Sequence, residues 1–213
     1  MNIPLNWLIG LAMGLNLVAL GSSRLPSLIR TVAAQGVILG IMPMALAGGI
    51  DWRVSVVALA TVVGKGLVIP GLLARAMRAV SIERELEPII GFEVSLLLGA
   101  GATIAAVAGA RWLPLLPEHA GSLLVPGAMA TISTGFILLV GRVKAISQVC
   151  GYLILENGIF LFGLLLIEAT PLMVEAGVLL DLTVGVFVIG IIVDRIQRAF
   201  NSLDTRKLTA LRE

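Results

Sequence analysis

Residues 145–167 read AISQVCGYLILENGIFLFGLLLI, and this stretch decides the fold. It is long enough to cross a hydrocarbon core about 30 Å thick as a helix rising ~1.5 Å per residue. Yet its middle holds Glu156, roughly 17 Å from either end at that rise. A carboxyl at such depth costs on the order of 3 kcal/mol or more relative to an apolar residue, and far more as a lone ion. Intramembrane acids of this kind usually face a bundle interior, pair with something, and take part in moving ions or protons. Glu156 is therefore the first pointer to function.

Outward from this segment the chain keeps the same character. Of its 213 residues, 58% are hydrophobic and 13% charged, with a mean hydropathy of +1.05. A soluble domain carries about twice that charged fraction. Seven apolar segments of spanning length can be drawn, at residues 4–20, 27–48, 54–76, 89–110, 121–140, 145–167 and 172–193. The expected fold is all-α: a polytopic integral membrane bundle of about seven transmembrane helices. Residues 1–80 hold helices one to three, 81–113 a charged linker and helix four, 114–194 helices five to seven, and 195–213 a tail.

The basic residues orient it. Arg24, Arg30, Arg75, Arg78, Arg84, Arg142, Lys144, Arg195, Arg198, Arg206, Lys207 and Arg212 all fall in connections on one side. The other side holds Arg53 and Arg111, and Lys65 lies inside a segment. The positive-inside rule then places the amino terminus outside and the carboxyl terminus in the cytoplasm. The first segment has no basic n-region or small-residue cleavage site and reads as a retained helix. The linker SIERELEP (residues 81–88) ends at Pro88, which suits the first turn of the next helix. The mixed-charge tail reads as a solvated end or as a docking contact for a cytoplasmic partner.

Several function classes drop out. The sequence pI of about 9.1 reflects arginines at helix ends; no basic patch with interleaved aromatics points to nucleic acid. Cys150 is the single cysteine and cannot form an intrachain disulfide. His119, beside Glu118 in a loop, reads as solvated. There is no P-loop, dinucleotide fingerprint, cysteine cluster or histidine pair, so no cofactor or metal is expected and nothing catalytic is visible. A retinal photoreceptor is disfavoured because the last segment has no lysine and aromatics make up 5% of the chain.

Four ionisable residues lie within spans: Lys65, Glu93, Glu156 and Asp181. Lys65, Glu156 and Asp181 share a similar depth, whereas Glu93 lies near the start of its helix. They can be structural, with Lys65 neutralising a carboxylate and fixing helix packing. Alternatively they are stations on a proton path, where burial favours the neutral form of each group. Three charges at one depth on three helices exceed what packing needs, which favours the proton path.

Gly64, Gly66 and Pro70 around Lys65 predict a kinked or locally opened helix, and Pro43 a break in its own. Pro126 reads as an ordinary membrane-helix proline. Gln148, Asn157, Thr131, Ser133, Thr134 and Thr183 can hold water or join helices. A shift of about 113 residues lays segments one to three on five to seven and matches Gln35 to Gln148, a possible internal repeat.

Residues 142–163, with QVCGYLILENG at 148–158, resemble the second helix of the K subunit of respiratory complex I and of the C subunit of Mrp-type cation/proton antiporters. Those are three-helix units with a glutamate at this place. The next helix of the complex I subunit has a second acid with a glycine four residues later, a spacing that Asp181 and Gly185 fit. The seven-helix architecture resembles component E of the hydrogenase-4 type, a membrane subunit of group 4 (formate hydrogenlyase-like) hydrogenases. The resemblance implies a non-catalytic membrane-arm subunit in a prokaryotic inner membrane. Its implied partners are lipid and other membrane subunits, antiporter-like and complex I-like. It further implies that Glu156 and Asp181 belong to a chain of buried charges coupling redox chemistry to proton or sodium movement. Asp181 is one methylene shorter than the glutamate of those relatives, and Lys65 and Glu93 have no counterpart in the three-helix units. A secondary transporter and a structural scaffold are the alternatives.

Overall fold

The computed structural model describes residues 3–46, 52–79, 88–113 and 122–166, with the isolated positions Gly177, Thr183, Gly185 and Gly190. Apolar residues run through α1 (Ile3–Gly21) and α2 (Leu25–Leu46). A third span follows, made of α3 (Trp52–Thr61), a π-helical segment (Val62–Val68) and α4 (Ile69–Ala79) without interruption. Then come α5 (Phe92–Ala110), α6 (Leu124–Gly141) and α7 (Ala145–Gly163), the last closing in a 3-10 turn at Leu164–Leu166. Among the described residues five stretches are long and apolar enough to cross a membrane: Leu25–Leu46, Val54–Arg78, Phe92–Ala110, Leu124–Gly141 and Ala145–Gly163. Leu5–Gly21 is a shorter apolar helix. The described residues form an all-helical, multi-pass bundle without a strand. The seventh expected segment, the charged linker and the tail lie outside the described residues, apart from Pro88 and the four isolated positions.

Between apolar lipid tails the hydrophobic effect gives helices little reason to associate, so close backbone approach must hold them together. Glycines provide it. A Cβ added at Gly151 would lie 2.8 Å from the Leu139 amide nitrogen, and one at Gly158 2.6 Å from that of Ile132. These contacts seat α7 against α6. Gly36 and Gly40 do the same for α2 against the third span, where a Cβ at Gly36 would lie 2.8 Å from the Lys65 carbonyl carbon.

Packing is layered along the bundle. One apolar cluster joins Leu20, Leu28, Ile69, Leu73, Leu138 and Ile154 among others. A second joins Leu5, Ile9, Leu39, Met42, Leu124 and Leu161 among others. Between them lies a polar layer: Asn16, Gln35, Lys65, Thr131, Glu156 and Asn157, each no more than 6% exposed. α5 stands at the rim, packed on α1 and α6, with little of its surface covered.

Two expectations about prolines are corrected. Pro43 does not break α2, which continues to Leu46; near a helix end the missing N–H removes only one of the last hydrogen bonds. Pro88 is not in the first turn of α5, which starts at Phe92 after Gly91. Residues 88–90 instead pair with the end of α6, Pro88 bridging Arg142 and the Ile89 amide donating to Gly141 O at 2.9 Å. Pro126 sits in the first turn of α6, where proline is tolerated.

Candidate functional site: a buried lysine–glutamate pair on an amide ladder

The opening expected around Lys65 takes the form of the π segment, with Lys65 at its middle. Such segments are rare and concentrate at functional sites. Wider winding and two flanking glycines let the Lys65 backbone press onto Gly36 while its side chain turns inward, 4% exposed. There Lys65 Nζ lies 3.7 Å from Glu156 Oε2, an ion pair between the third span and α7. The ammonium also donates to Asn157 Oδ1 at 3.4 Å and stands 5.7 Å from the centroid of the Phe160 ring. The carboxyl and amide come from successive residues of α7, so one helix offers Lys65 both.

From Asn157 the polar contacts continue across the bundle. Its Nδ2 donates to Gln35 Oε1 at 3.2 Å, and Gln35 Nε2 donates to Asn16 Oδ1 at 2.8 Å. Asn16 Nδ2 then donates to Thr131 Oγ1 at 2.9 Å, whose hydroxyl donates to Gly127 O at 2.7 Å. Five helices (α1, α2, the π-containing helix, α6 and α7) thus meet in one polar layer. Buried polar groups of this kind are stable only when their bonds are made, and here the chain of amides makes them for each other.

Of the acids read from the sequence, Glu156 lies at this centre. Glu93 does not: it is exposed in the first turn of α5, where the positive end of the helix dipole favours an acid. Asp181 lies outside the described residues. Gly185, four residues later, is buried against the site, for a Cβ there would lie 3.8 and 3.9 Å from the two Glu156 carboxylate oxygens. Among the other polar residues, Thr131 and Asn157 join the ladder and Thr134 is buried nearby on α6. Ser133 bonds back to Met129 O, Thr183 is exposed, and Gln148 donates instead to Arg142 O at 3.0 Å. Gln35 and Gln148, matched by the proposed repeat, therefore occupy unlike surroundings. Asn16 was not picked out by sequence reasoning, and Gln35 only as a repeat marker; an amide at mid-span beside small residues was the available signal.

Arg142 lies in the connection between α6 and α7, where the sequence places it, but it is fully buried there. Its Nη2 donates to Leu20 O at 2.8 Å, its Nη1 to Ile90 O at 3.1 Å, and its guanidinium stacks 4.5 Å from the Phe92 ring centroid. Leu20 O is one of the carbonyls that the end of α1 leaves without a helical partner, so Arg142 caps that helix. Burial draws the guanidinium below its ordinary value, yet arginine remains a cation in proteins. Arg142→Met is expected to destabilise the chain by on the order of 3 kcal/mol or more, two charge-assisted bonds being lost at a buried place. Thermal unfolding in detergent micelles measures this, and a shift too small for even one bond would show that the anchor is not energetic.

Among the described residues no group of three or more His, Cys, Asp or Glu side chains is placed to hold a metal ion. The chain is 36% identical over 193 residues to Rv0085, an uncharacterized protein of Mycobacterium tuberculosis, covering 89% of this chain and 87% of that one. It is 28% identical over 150 residues to hydrogenase-4 component E of Escherichia coli K12, covering 70% of this chain and 68% of that protein. The hydrogenase-4 component E of Shigella flexneri matches to the same extent. No family model and no solved structure matches the chain.

Proposed function

The chain belongs to the family of the Mycobacterium tuberculosis protein Rv0085, and from that kinship, the distant likeness to hydrogenase-4 component E and the buried Lys65–Glu156 pair we propose that it is a non-catalytic membrane-arm subunit of a redox-driven, ion-translocating complex. The observation that carries this reading is the ion pair, sunk at mid-span between two apolar clusters and joined to a ladder of amides. Packing alone has little use for such a pair, because a buried salt bridge gives weak net stability and is often matched by apolar residues of similar volume. A group that must change charge needs a counter-ion and polar neighbours.

In this proposal Glu156 takes up and releases a proton opposite Lys65. Asp181, four residues before Gly185 in sequence, is the next station in this proposal. Glu93 serves at the periphery, on the exposed side of α5, where water or a neighbouring subunit can reach it. The driving redox chemistry belongs to other subunits in the prokaryotic inner membrane, and the carboxyl end faces the cytoplasm by the distribution of arginines.

Glu156→Gln tests the proposal in membranes containing the whole complex. It keeps the shape and loses the titrating oxygen, so the subunit is expected to assemble while coupled proton or sodium movement falls at least about ten-fold, the usual scale of a lost proton-transfer group being 10² or more. Wild-type coupling in an assembled Glu156→Gln complex would leave a structural scaffold as the better account.

A further inference from the structure

We infer that Lys65 is the fixed cation of the central pair, held by a one-way amide ladder in which Gln35, Asn16 and Asn157 are positioning residues, so that the proton which moves is carried by Glu156. This rests on the ion-handling reading above and deepens it, because the depth-based reading allowed lysine and acid to share the proton.

Every bond of the ladder runs in one direction. Lys65 donates to Asn157, Asn157 to Gln35, Gln35 to Asn16, Asn16 to Thr131 and Thr131 to Gly127 O. The orientation is fixed from the far end by two backbone carbonyls, which can only accept. Thr131 is committed to Gly127 O, and Gln35 Nε2 also faces Ala12 O at 3.4 Å. Gln35 must therefore turn Oε1 toward Asn157. Asn157 must then turn Nδ2 to Gln35 and Oδ1 to Lys65. Were Asn157 to flip, oxygen would face oxygen on one side and nitrogen would face nitrogen on the other.

The acceptor presented to Lys65 is thus set by α1, α2 and α6, whatever the lysine does. Around Nζ the described residues place three features of negative potential: Glu156 Oε2, Asn157 Oδ1 and the face of Phe160. The α2 residues packed there, Gln35 and Gly36, are not titratable, and the charged group facing Lys65 among the described residues is Glu156 on α7. Amide dipoles lined up with oxygen toward an ammonium stabilise the cation at a fixed place and need no reorganisation. When the Glu156 carboxylate gains a proton, the carboxyl becomes neutral and Lys65 keeps its three N–H bonds. The pair passes from net neutral to singly positive and returns when the proton leaves.

The chain has three lysines, Lys65, Lys144 and Lys207. The full chain, labelled with nitrogen-15 at the lysine side chains and reconstituted in lipid bilayers, gives three signals by solid-state NMR, and Lys65→Met assigns the buried one. At the pH of the coupled assay the wild-type Lys65 signal is expected at the ammonium position. Gln35→Met removes the pinned dipole at similar volume, and is expected to move the Lys65 signal away from its wild-type position. An amine signal from wild-type Lys65 near neutral pH, or no movement in Gln35→Met, would overturn the inference. In the whole complex, Lys65→Arg supplies a charge that cannot be given up. Assembled Lys65→Arg is expected to retain coupled ion movement that Lys65→Met loses, whereas loss in Lys65→Arg equal to that in Lys65→Met would mark the lysine as a proton carrier. If Glu156→Gln keeps wild-type coupling while Gln35→Met still moves the Lys65 signal, the ion-handling reading fails and the ladder stands.

Discussion

Lys65→Met is expected to bring coupled ion movement below detection and to destabilise the folded chain by on the order of 3–5 kcal/mol. Lys65 and Glu156 are 4% and 5% exposed at their side chains and 3.7 Å apart, so removing the ammonium leaves a carboxylate buried without its lysine. Attraction in a weakly polarisable interior is what offsets the desolvation of both ions; one partner alone keeps the penalty and loses the gain. Asn157 Oδ1 also loses its donor, and the pinned ladder prevents the amide from turning away. The double variant Lys65→Met, Glu156→Gln removes both charges and is expected to recover most of the lost stability without recovering ion movement. A double-mutant cycle on SDS-titrated unfolding in mixed micelles measures the coupling between the two positions. Additive effects would show that the pair is not an energetic unit; ion movement in Lys65→Met would show that the cation is dispensable.

How far the sequence discloses this site depends on how unusual each residue is in its surroundings. A lysine and a glutamate in apolar runs stand out, and their equal depth was enough to suggest that they meet. Gly64, Gly66 and Pro70 likewise announced that the helix around Lys65 departs from ideal winding. The π form was not legible, because it suits the closeness of α2 at Gly36 and Gly40, a tertiary fact. Asn16 and Gln35 are weaker signals, since amides occur in membrane helices as ordinary interhelical contacts. Their value arises only when four helices bring them within 3.4 Å of one another and of Asn157 and Thr131. The burial of Arg142 was not legible for a related reason. A basic residue at a helix end is normally solvated, and its partners here are carbonyls of Leu20 and Ile90, which any residue would possess. Glu93 lay within an apolar segment by sequence, but pairing of residues 88–90 with the end of α6 delays α5 until Phe92 and leaves the acid at the helix start.

Gly135→Ala is expected to prevent α6 and α7 from seating together and to deplete the folded subunit from membranes. An added Cβ would overlap the Leu155 amide nitrogen and lie 2.6 Å from its Cα, far inside van der Waals contact. Overpacking usually costs about 1–3 kcal/mol because side chains can give way; backbone cannot, which puts this substitution at or above that range. The displacement acts directly on the site, for Leu155 precedes Glu156 and Asn157 on α7. Pushing that turn outward lengthens the Lys65–Glu156 contact and pulls Asn157 from Gln35, so damage to packing and damage to function arrive together. Gly163→Ala on the same helix is the control. A Cβ there meets nothing within 4 Å, and alanine is the better helix former by about 1 kcal/mol, so stability should hold or rise slightly. Membrane abundance and resistance to SDS, compared between the two variants, decide the point: equal behaviour would mean that the close α6–α7 approach does not hold the bundle together, and that the charged pair needs no such frame.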